Sequence, residues 1–306
     1  MKILVTGGAG FIGSHVVEYF QKRAEVSALD NFRTGRRDNL RGLQVDLVEG
    51  SILDRDLVGR LMRGVDYVFH LAALVSVPES VARPAECTDL NVNGLINVLD
   101  AAAAAKVRKV VLASSAAVYG DDPAVPKHET MAPAPRSPYA VTKLVGEYYC
   151  QLYAETRGLD TAALRFFNVF GPRQDPNGAY AAAVPIFFRQ ALTNRPLTIH
   201  GDGEQTRDFV FVNDIVAALV FAATTPGLRG VFNTGYGHQV TIRALAHRIV
   251  ALAASRSEIH HAPARPGDVR HSRADISKLS RAGFTPAGTL EAGLSAMLPP
   301  TAQRTP

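Results

Sequence analysis

Tyr139 and Lys143 stand four residues apart, so on a helix their side chains leave one face about one turn apart. A lysine charge beside a phenol favours the phenolate and lowers its pKa towards working pH, which makes Tyr139 a candidate general base and acid. Nine tyrosines occur in the chain, and the spacing alone is a weak signal. Ser114-Ser115, upstream, adds the hydroxyl of a proton relay, with Ser115 as its member; without the tyrosine pair, a serine there reads as a loop cap. A second constellation lies near the start, where Gly7-Gly8-Ala9-Gly10-Phe11-Ile12-Gly13 satisfies G-x-G-x-x-G from Gly8 and the wider G-x-x-G-x-x-G from Gly7. Glycine suits a tight turn, a close pyrophosphate and a close helix–strand contact, and the N–H groups of the following helix face phosphate. Asp30 ends the next predicted strand. A carboxylate there binds both ribose hydroxyls and repels a 2′-phosphate, which favours NAD, while nearby Arg33 is the one residue that argues for NADP. Beside a nicotinamide, the serine, tyrosine and lysine serve hydride transfer coupled to proton transfer on a secondary alcohol.

Those groups need a scaffold, and short apolar runs at Ile3 to Thr6, Val26 to Asp30, Gln44 to Val48, Tyr67 to His70, Val110 to Ala113 and Thr161 to Phe166 read as strands. Helical periodicity over Phe11 to Lys22, Leu53 to Met62, Asp89 to Lys106 and Tyr139 to Arg157 supplies the crossovers that parallel strands require. The expectation is an α/β fold, a Rossmann-type doubly wound parallel sheet with a smaller C-terminal lobe. Residues 1–170 form the NAD-binding unit in this reading, with some later segments returning to it. Residues 171–298, punctuated by proline and glycine, form a ligand-capping lobe, and 299–306 a disordered tail. Pro123, Pro126, Pro133, Pro135 and Pro138 break any helix between Asp121 and Pro138 and predict a loop over the carboxyl edge of the sheet.

Composition agrees with a folded enzyme: 306 residues, 47% hydrophobic and 20% charged. The formal charge of +5 is carried mostly by arginine and suits a small anionic ligand. The arginines are dispersed, which argues against nucleic acid. Cys87 and Cys150 support neither a disulfide framework nor a zinc site, and His260-His261 with His271 lacks companions at ligand spacing, so no metal is expected. Lys2 onwards reads as a strand rather than a leader, and no apolar stretch is long enough for a membrane; the expected compartment is the cytoplasm.

Further stretches sharpen this picture: His70-Leu71-Ala72-Ala73, Asn91-Val92-Asn93-Gly94, Tyr139-Ala140-Val141-Thr142-Lys143, Arg165-Phe166-Phe167-Asn168-Val169-Phe170-Gly171-Pro172, Gly201-Asp202-Gly203 with Arg207-Asp208-Phe209, and Arg265-Pro266-Gly267-Asp268. Together with the glycine turn they resemble the extended short-chain dehydrogenase/reductase superfamily, and within it the UDP-hexose 4-epimerases, from Lys2 to about Met297. The resemblance implies NAD contacts at Gly7, Gly10, Phe11, Ile12, Gly13, Asp30, Asn31, Thr34, Gly35, Ser51, Ile52, Leu71, Ala72, Ala73, Asn91, Tyr139 and Lys143. It implies that Asn168, Arg207, Arg265 and Asp268 hold UDP, with Ser76, Ser115, Ala183, Val184, Thr198, His200 and Ser272 completing the substrate site. The implied reaction oxidises the sugar C4 hydroxyl, turns the 4-keto sugar over, and returns hydride to the other face.

Ala116 and Ala117 stand where similar dehydratases carry Asp-Glu and decarboxylases a glutamate, so elimination lacks its acid and base. Ala117 also departs from the threonine of many epimerases. The segments from Arg173 to Ala182 and from Gly267 to Ser272 resemble bacterial UDP-N-acetylglucosamine 4-epimerases; the position of Ser272 is usually a tyrosine in epimerases restricted to plain sugars, and serine leaves room for an acetamido group. A homodimer through the helices Asp89 to Lys106 and Tyr139 to Arg157 is also implied. The alternatives are a UDP-uronate epimerase, a 4-ketoreductase, and a non-catalytic NAD-binding sensor on the same fold.

Overall fold

The computed structural model describes residues 1–177, 182–264 and 269–299. Strands β1 (Lys2–Thr6), β2 (Glu25–Asp30), β3 (Asp46–Glu49), β4 (Tyr67–His70), β5 (Lys109–Ser115) and β6 (Thr161–Phe166) lie where the apolar runs predict them. Short strands β7 (Asn168–Phe170), β8 (Leu197–His200), β9 (Thr206–Arg207) and β10 (Phe209–Phe211) follow outside the main sheet, and β11 (Gly230–Thr234) returns to pair with β6. The main sheet is seven-stranded and parallel, in the order β11-β6-β5-β4-β1-β2-β3. Its order reverses between β1 and β4, so a crevice opens at the carboxyl ends of these two strands, where ligands of such sheets bind.

Both faces of the sheet are covered, which is why its strands read as nearly continuous apolar runs. Ile3 and Val5 pack with Val16, Val17 and Phe20 of helix α1 (Phe11–Phe20). Leu4, between them, points the other way and packs with Val58 of α2 (Arg55–Leu61). Helices α3 (Val77–Ala82) and α4 (Pro84–Thr88) lead into α5 (Gly94–Ala104) and the long α6 (Pro138–Arg157); α5 and α6 add Val98, Leu99, Cys150 and Tyr153 to the second core. Each such side chain, fully buried, contributes about 1.5–3 kcal/mol. A third core joins Phe187 and Phe188 of α7 (Ala183–Leu192) to Leu197 and Ile199 of β8, whereas α8 (Val212–Thr224) packs on the α1 face of the sheet through Ile215 and Leu219.

One expectation needs adjustment. The helix predicted from Asp89 opens with a π-type turn over Asp89–Asn93 before α5 begins. The wide turn lets Asn91 reach sideways: its side chain bonds both backbone groups of Leu74 and donates to Thr142 Oγ1 at 3.0 Å. The proline-rich loop meets the C-terminal part of the chain. Lys127 N donates to Arg273 O and Asp275 N to Lys127 O, each at 2.7 Å. The tail beyond Pro299 lies outside the described residues.

Candidate active site

The glycine turn links β1 to α1 at the crevice. Gly7 takes φ +71°, and a Cβ there would stand 2.8 Å from Ala72 N; a Cβ on Gly13 would collide with the Gly7 carbonyl oxygen. These two glycines are required by the fold itself. Gly10 differs: its φ of −74° and ψ of 179° suit any residue, and the nearest atom to an added Cβ is Gly7 O at 3.1 Å. Because Gly10 lines a cavity of about 520 Å³, the demand for a bare backbone there comes from what fills that cavity.

Asp30 lines the same end of the cavity as the glycine turn. Its carboxylate accepts from Ala9 N at 2.9 Å and from Phe32 N at 2.8 Å, which pins the β2 loop to the glycine turn. Each oxygen keeps a lone pair for a ribose hydroxyl. Gly35 lies directly beneath this carboxylate, where a Cβ would come within 2.7 Å of both oxygens, so it supports Asp30 without lining the cavity. Arg33 is committed elsewhere. It pairs with Glu79 at 2.7 Å and with Glu86, so its guanidinium is engaged away from Asp30.

At the other end stand the proton-handling residues. Ser137 caps α6 by accepting from Ala140 N, and Pro138 occupies the first turn, so the helix starts one residue before Tyr139. Tyr139 stands within hydrogen-bonding reach of Ser115 at the end of β5, while Lys143 Nζ donates to Ala113 O at 2.8 Å. Burial drives the Lys143 ammonium down to about 8, opposed by Cys87 and Glu147. The expected lowering of the Tyr139 pKa does not occur in the protein alone. Burial pushes the phenol up and outweighs its hydrogen bond to Ser115, because the Lys143 ammonium is turned to the Ala113 carbonyl and lies 5.7 Å from the ring centroid. Behind Lys143, His70 is buried and depressed to about 3, first by desolvation and then by the lysine charge, so it is neutral.

Gly7, Gly10, Phe11, Ile12, Gly13, Asp30, Asn31, Thr34, Ser51, Ile52, Leu71, Ala72, Ala73, Ser115, Tyr139, Lys143 and Asn168 thus surround one cavity. Other expected contacts do not line it. Asn91 is buried and spends its amide on Leu74 and Thr142, tying the segment after β4 to α6. Ser76 caps α3 by accepting from Glu79 N. Val184 is buried in the third core with Ala183 beside it, Thr198 is exposed on β8, and His200 bonds Pro263 O. Arg207 is half-buried and donates to Thr206 O at 2.8 Å, and Ser272 N donates to the same carbonyl. Arg265 and Asp268 lie outside the described residues.

The cavity also contains residues that the sequence reading passed over. Arg36 and Asp175, both in its lining, form an ion pair at 2.6 Å across the mouth. No local pattern joins residues so far apart in the chain. Among the described residues no group of three or more His, Cys, Asp or Glu side chains is arranged to hold a metal ion. Within the same residues no helix is long and apolar enough to cross a membrane.

Known proteins agree with this geometry. Residues 3–235 match the NAD dependent epimerase/dehydratase family. A UDP-glucose 4-epimerase of Mycolicibacterium smegmatis is 40% identical over 303 residues, covering 96% of each chain. The solved UDP-N-acetylglucosamine 4-epimerase of Methanobrevibacter ruminantium, in complex with UDP-N-acetylmuramic acid, superposes with a TM-score of 0.93 at 39% identity over 96% of both chains. The UDP-glucose 4-epimerase of Thermus thermophilus in complex with NAD gives 0.89 at 38% identity over 97% of both. The chain therefore belongs to the NAD-dependent epimerase/dehydratase family, as an enzyme of the extended short-chain dehydrogenase/reductase type whose full-length relatives include UDP-sugar 4-epimerases and, at 35% identity, a UDP-N-acetyl-alpha-D-glucosaminuronate decarboxylase of Bacillus cytotoxicus.

Proposed function

We propose that this enzyme interconverts the C4 epimers of UDP-sugars with a retained NAD, preferring N-acetylated hexosamines and tolerating plain hexoses. The observation that carries the reading is the meeting of Ser115, Tyr139 and Lys143 at one end of a cavity whose other end is the glycine turn and Asp30. The residues after Ser115 are Ala116 and Ala117, so the reacting end has no carboxylate from that turn with which to drive elimination.

NAD fits the residues present: Gly10 leaves a bare backbone for the pyrophosphate, Asp30 accepts from the adenosine ribose, and Lys143 donates beside the nicotinamide ribose. When bound, it accepts the C4 hydride of the sugar and returns it. Tyr139 accepts the proton of the C4 hydroxyl, with Ser115 in the hydrogen-bond path, as the hydride leaves. Burial alone holds Tyr139 protonated, and the positive charge of an oxidised nicotinamide pulls the other way, so proton acceptance is tied to the loaded state. The 4-keto sugar then turns over while its UDP stays anchored. Tyr139 gives the proton back as hydride is returned to the other face.

The lobe 171–298 provides the anchor in this reading, through Asn168 at its border, Arg207, Arg265 and Asp268. Ser272 sets the sugar preference. It sits two residues before Ala274, which packs with Val118, Tyr119 and Phe167 just beyond Ser115, and this nearness along the chain supports the reading. Its small side chain leaves space for an acetamido group. The compartment is the cytoplasm, in line with two unpaired thiols, Cys87 and Cys150. A homodimer forms through α6, whose Val141, Tyr148 and Leu152 present an exposed apolar stripe.

The test is to incubate the purified protein, without added cofactor, with UDP-N-acetylglucosamine and separately with UDP-glucose, and to follow products by proton NMR. Formation of both 4-epimers, faster from the acetylated sugar and lost for that sugar in Ser272→Tyr, is the expected result. No conversion of either sugar by NAD-loaded protein overturns the reading.

A further inference from the structure

The last three residues of β5 hold three residues of α6 that follow one another at four-residue intervals. Ala113 O accepts from Lys143, Ser115 stands within hydrogen-bonding reach of Tyr139, and the Ser114 hydroxyl donates to Glu147 Oε1. Spacing of four puts Tyr139, Lys143 and Glu147 on one helical face. The first two touch the cavity and the third lies behind it. Glu147 is 4% exposed and gripped from β6 by Arg165, whose Nε donates to Oε1 at 2.9 Å and Nη2 to Oε2 at 2.7 Å. Arg165 faces Ser114 in the β5–β6 register, and its guanidinium lies 4.8 Å from the Tyr119 ring centroid.

A register is held as well by apolar packing as by a buried ion pair, and burying two charges is costly. What a carboxylate adds is charge directed at its neighbour. The groups facing Lys143 are Tyr139 and Glu147 on its own helix, Ala113 from β5, His70 from β4 and Cys87 from α4. His70 is neutral, and burial pushes the Cys87 thiol up, so it stays protonated. Among these groups Glu147 alone supplies negative charge; Arg165, which grips it from β6, is the positive charge that partly offsets it and leaves it the nearer of the two to Lys143 along α6.

We infer that Glu147 is a positioning residue for the epimerisation proposed above: it locks α6 in register on β5 so that Tyr139 meets Ser115, and its carboxylate keeps Lys143 an ammonium in the working enzyme. Lys143 loses its proton as pH rises, so any change in its protonation moves the alkaline limb of a pH profile. Glu147→Gln keeps the shape and hydrogen-bonding reach of the side chain but removes the charge.

The experiment titrates two quantities from neutral to alkaline pH, the turnover of UDP-N-acetylglucosamine and the affinity for NADH read by its fluorescence. In Glu147→Gln both alkaline limbs are expected to move down by about one pH unit, while Glu147→Asp, which keeps the charge, holds them near their original place. Limbs unmoved in folded Glu147→Gln overturn the inference. Should that variant not fold, the double variant Glu147→Gln/Arg165→Gln leaves no lone buried charge and is titrated in the same way, with unmoved limbs again overturning it. A wild-type enzyme that turns over no UDP-sugar defeats the reaction reading instead, and the NADH titration still decides the role of Glu147.

Discussion

The hydroxyl of Thr6 and Nδ1 of His70 lie 2.8 Å apart at the carboxyl ends of β1 and β4, the neighbours between which the strand order reverses. Thr6 also accepts from Ala72 N at 3.3 Å, so one hydroxyl ties both the imidazole and the segment after β4 to the end of β1. Protonating His70 places a charge in this buried site. Its folded pKa, about 3 against an ordinary 6.5, is depressed, so the unfolded chain binds the proton first and stability falls as pH drops below 6.5. Between pH 7 and pH 5 His70 is expected to remove about 2 kcal/mol of stability. His70→Asn should flatten that slope in urea melts taken across this range. A slope unchanged by the substitution would show that other groups carry it.

The two kinds of glycine in the phosphate turn predict different failures. Gly13→Ala forces a Cβ into the Gly7 carbonyl oxygen and is expected to lower the melting temperature with or without NAD. Gly10→Ala has an ordinary backbone conformation, and its Cβ presses on Gly7 O at 3.1 Å, a tight contact that a shift of a few tenths of an ångström relieves. Its apoprotein should melt slightly below the wild type and well above Gly13→Ala, while NAD affinity falls by roughly tenfold or more, the equivalent of at least ~1.4 kcal/mol. Equal NAD affinity in Gly10→Ala would mean that the pyrophosphate does not approach this turn.

Much of this was legible in the sequence because it is local. Strand runs, the glycine turn, the Tyr139–Lys143 spacing and the closing Asp30 each depend on residues within a few positions of one another. What local pattern does not carry is the use of a residue by a distant partner. Asn91 sits in a recognisable stretch and so reads as a cofactor ligand, yet its amide holds Leu74 and Thr142. Arg33 reads as a phosphate ligand until Glu79 and Glu86 claim it. Glu147 is unremarkable in sequence and Arg165 reads only as the start of a recognisable stretch, so their pairing appears only once β5, β6 and α6 are assembled.

Asp208 is another residue of this kind. It is fully buried, and its carboxylate accepts from Tyr236 N at 2.8 Å, Gly237 N at 2.9 Å and Ala274 N at 3.0 Å, while its carbonyl accepts from Asn168 N. It thereby knots the border of the cavity to the strip that carries Ser272. Asp208→Asn turns an amide group towards backbone donors and should cost about 2–3 kcal/mol in urea denaturation. With the knot loosened, KM for the UDP-sugar is expected to rise while the NAD content of the purified protein stays the same. A variant that loses NAD as readily as substrate would place the effect on the whole fold.

The exposed face of α6 supplies the last prediction. Val141, Tyr148 and Leu152 are 44%, 58% and 47% exposed, and spacings of seven and four put them in one stripe. An apolar stripe on a twenty-residue helix is satisfied by the same stripe of a second copy, because a two-fold axis brings a surface against itself. Light scattering should therefore give twice the 32.8 kDa of the chain. Tyr148→Asp with Leu152→Asp places like charges opposite one another across that axis and should give a monomer that still binds NAD, since neither residue lines the cavity. A wild-type monomer would remove α6 as an interface. A double variant that remains dimeric would move the contact to another face.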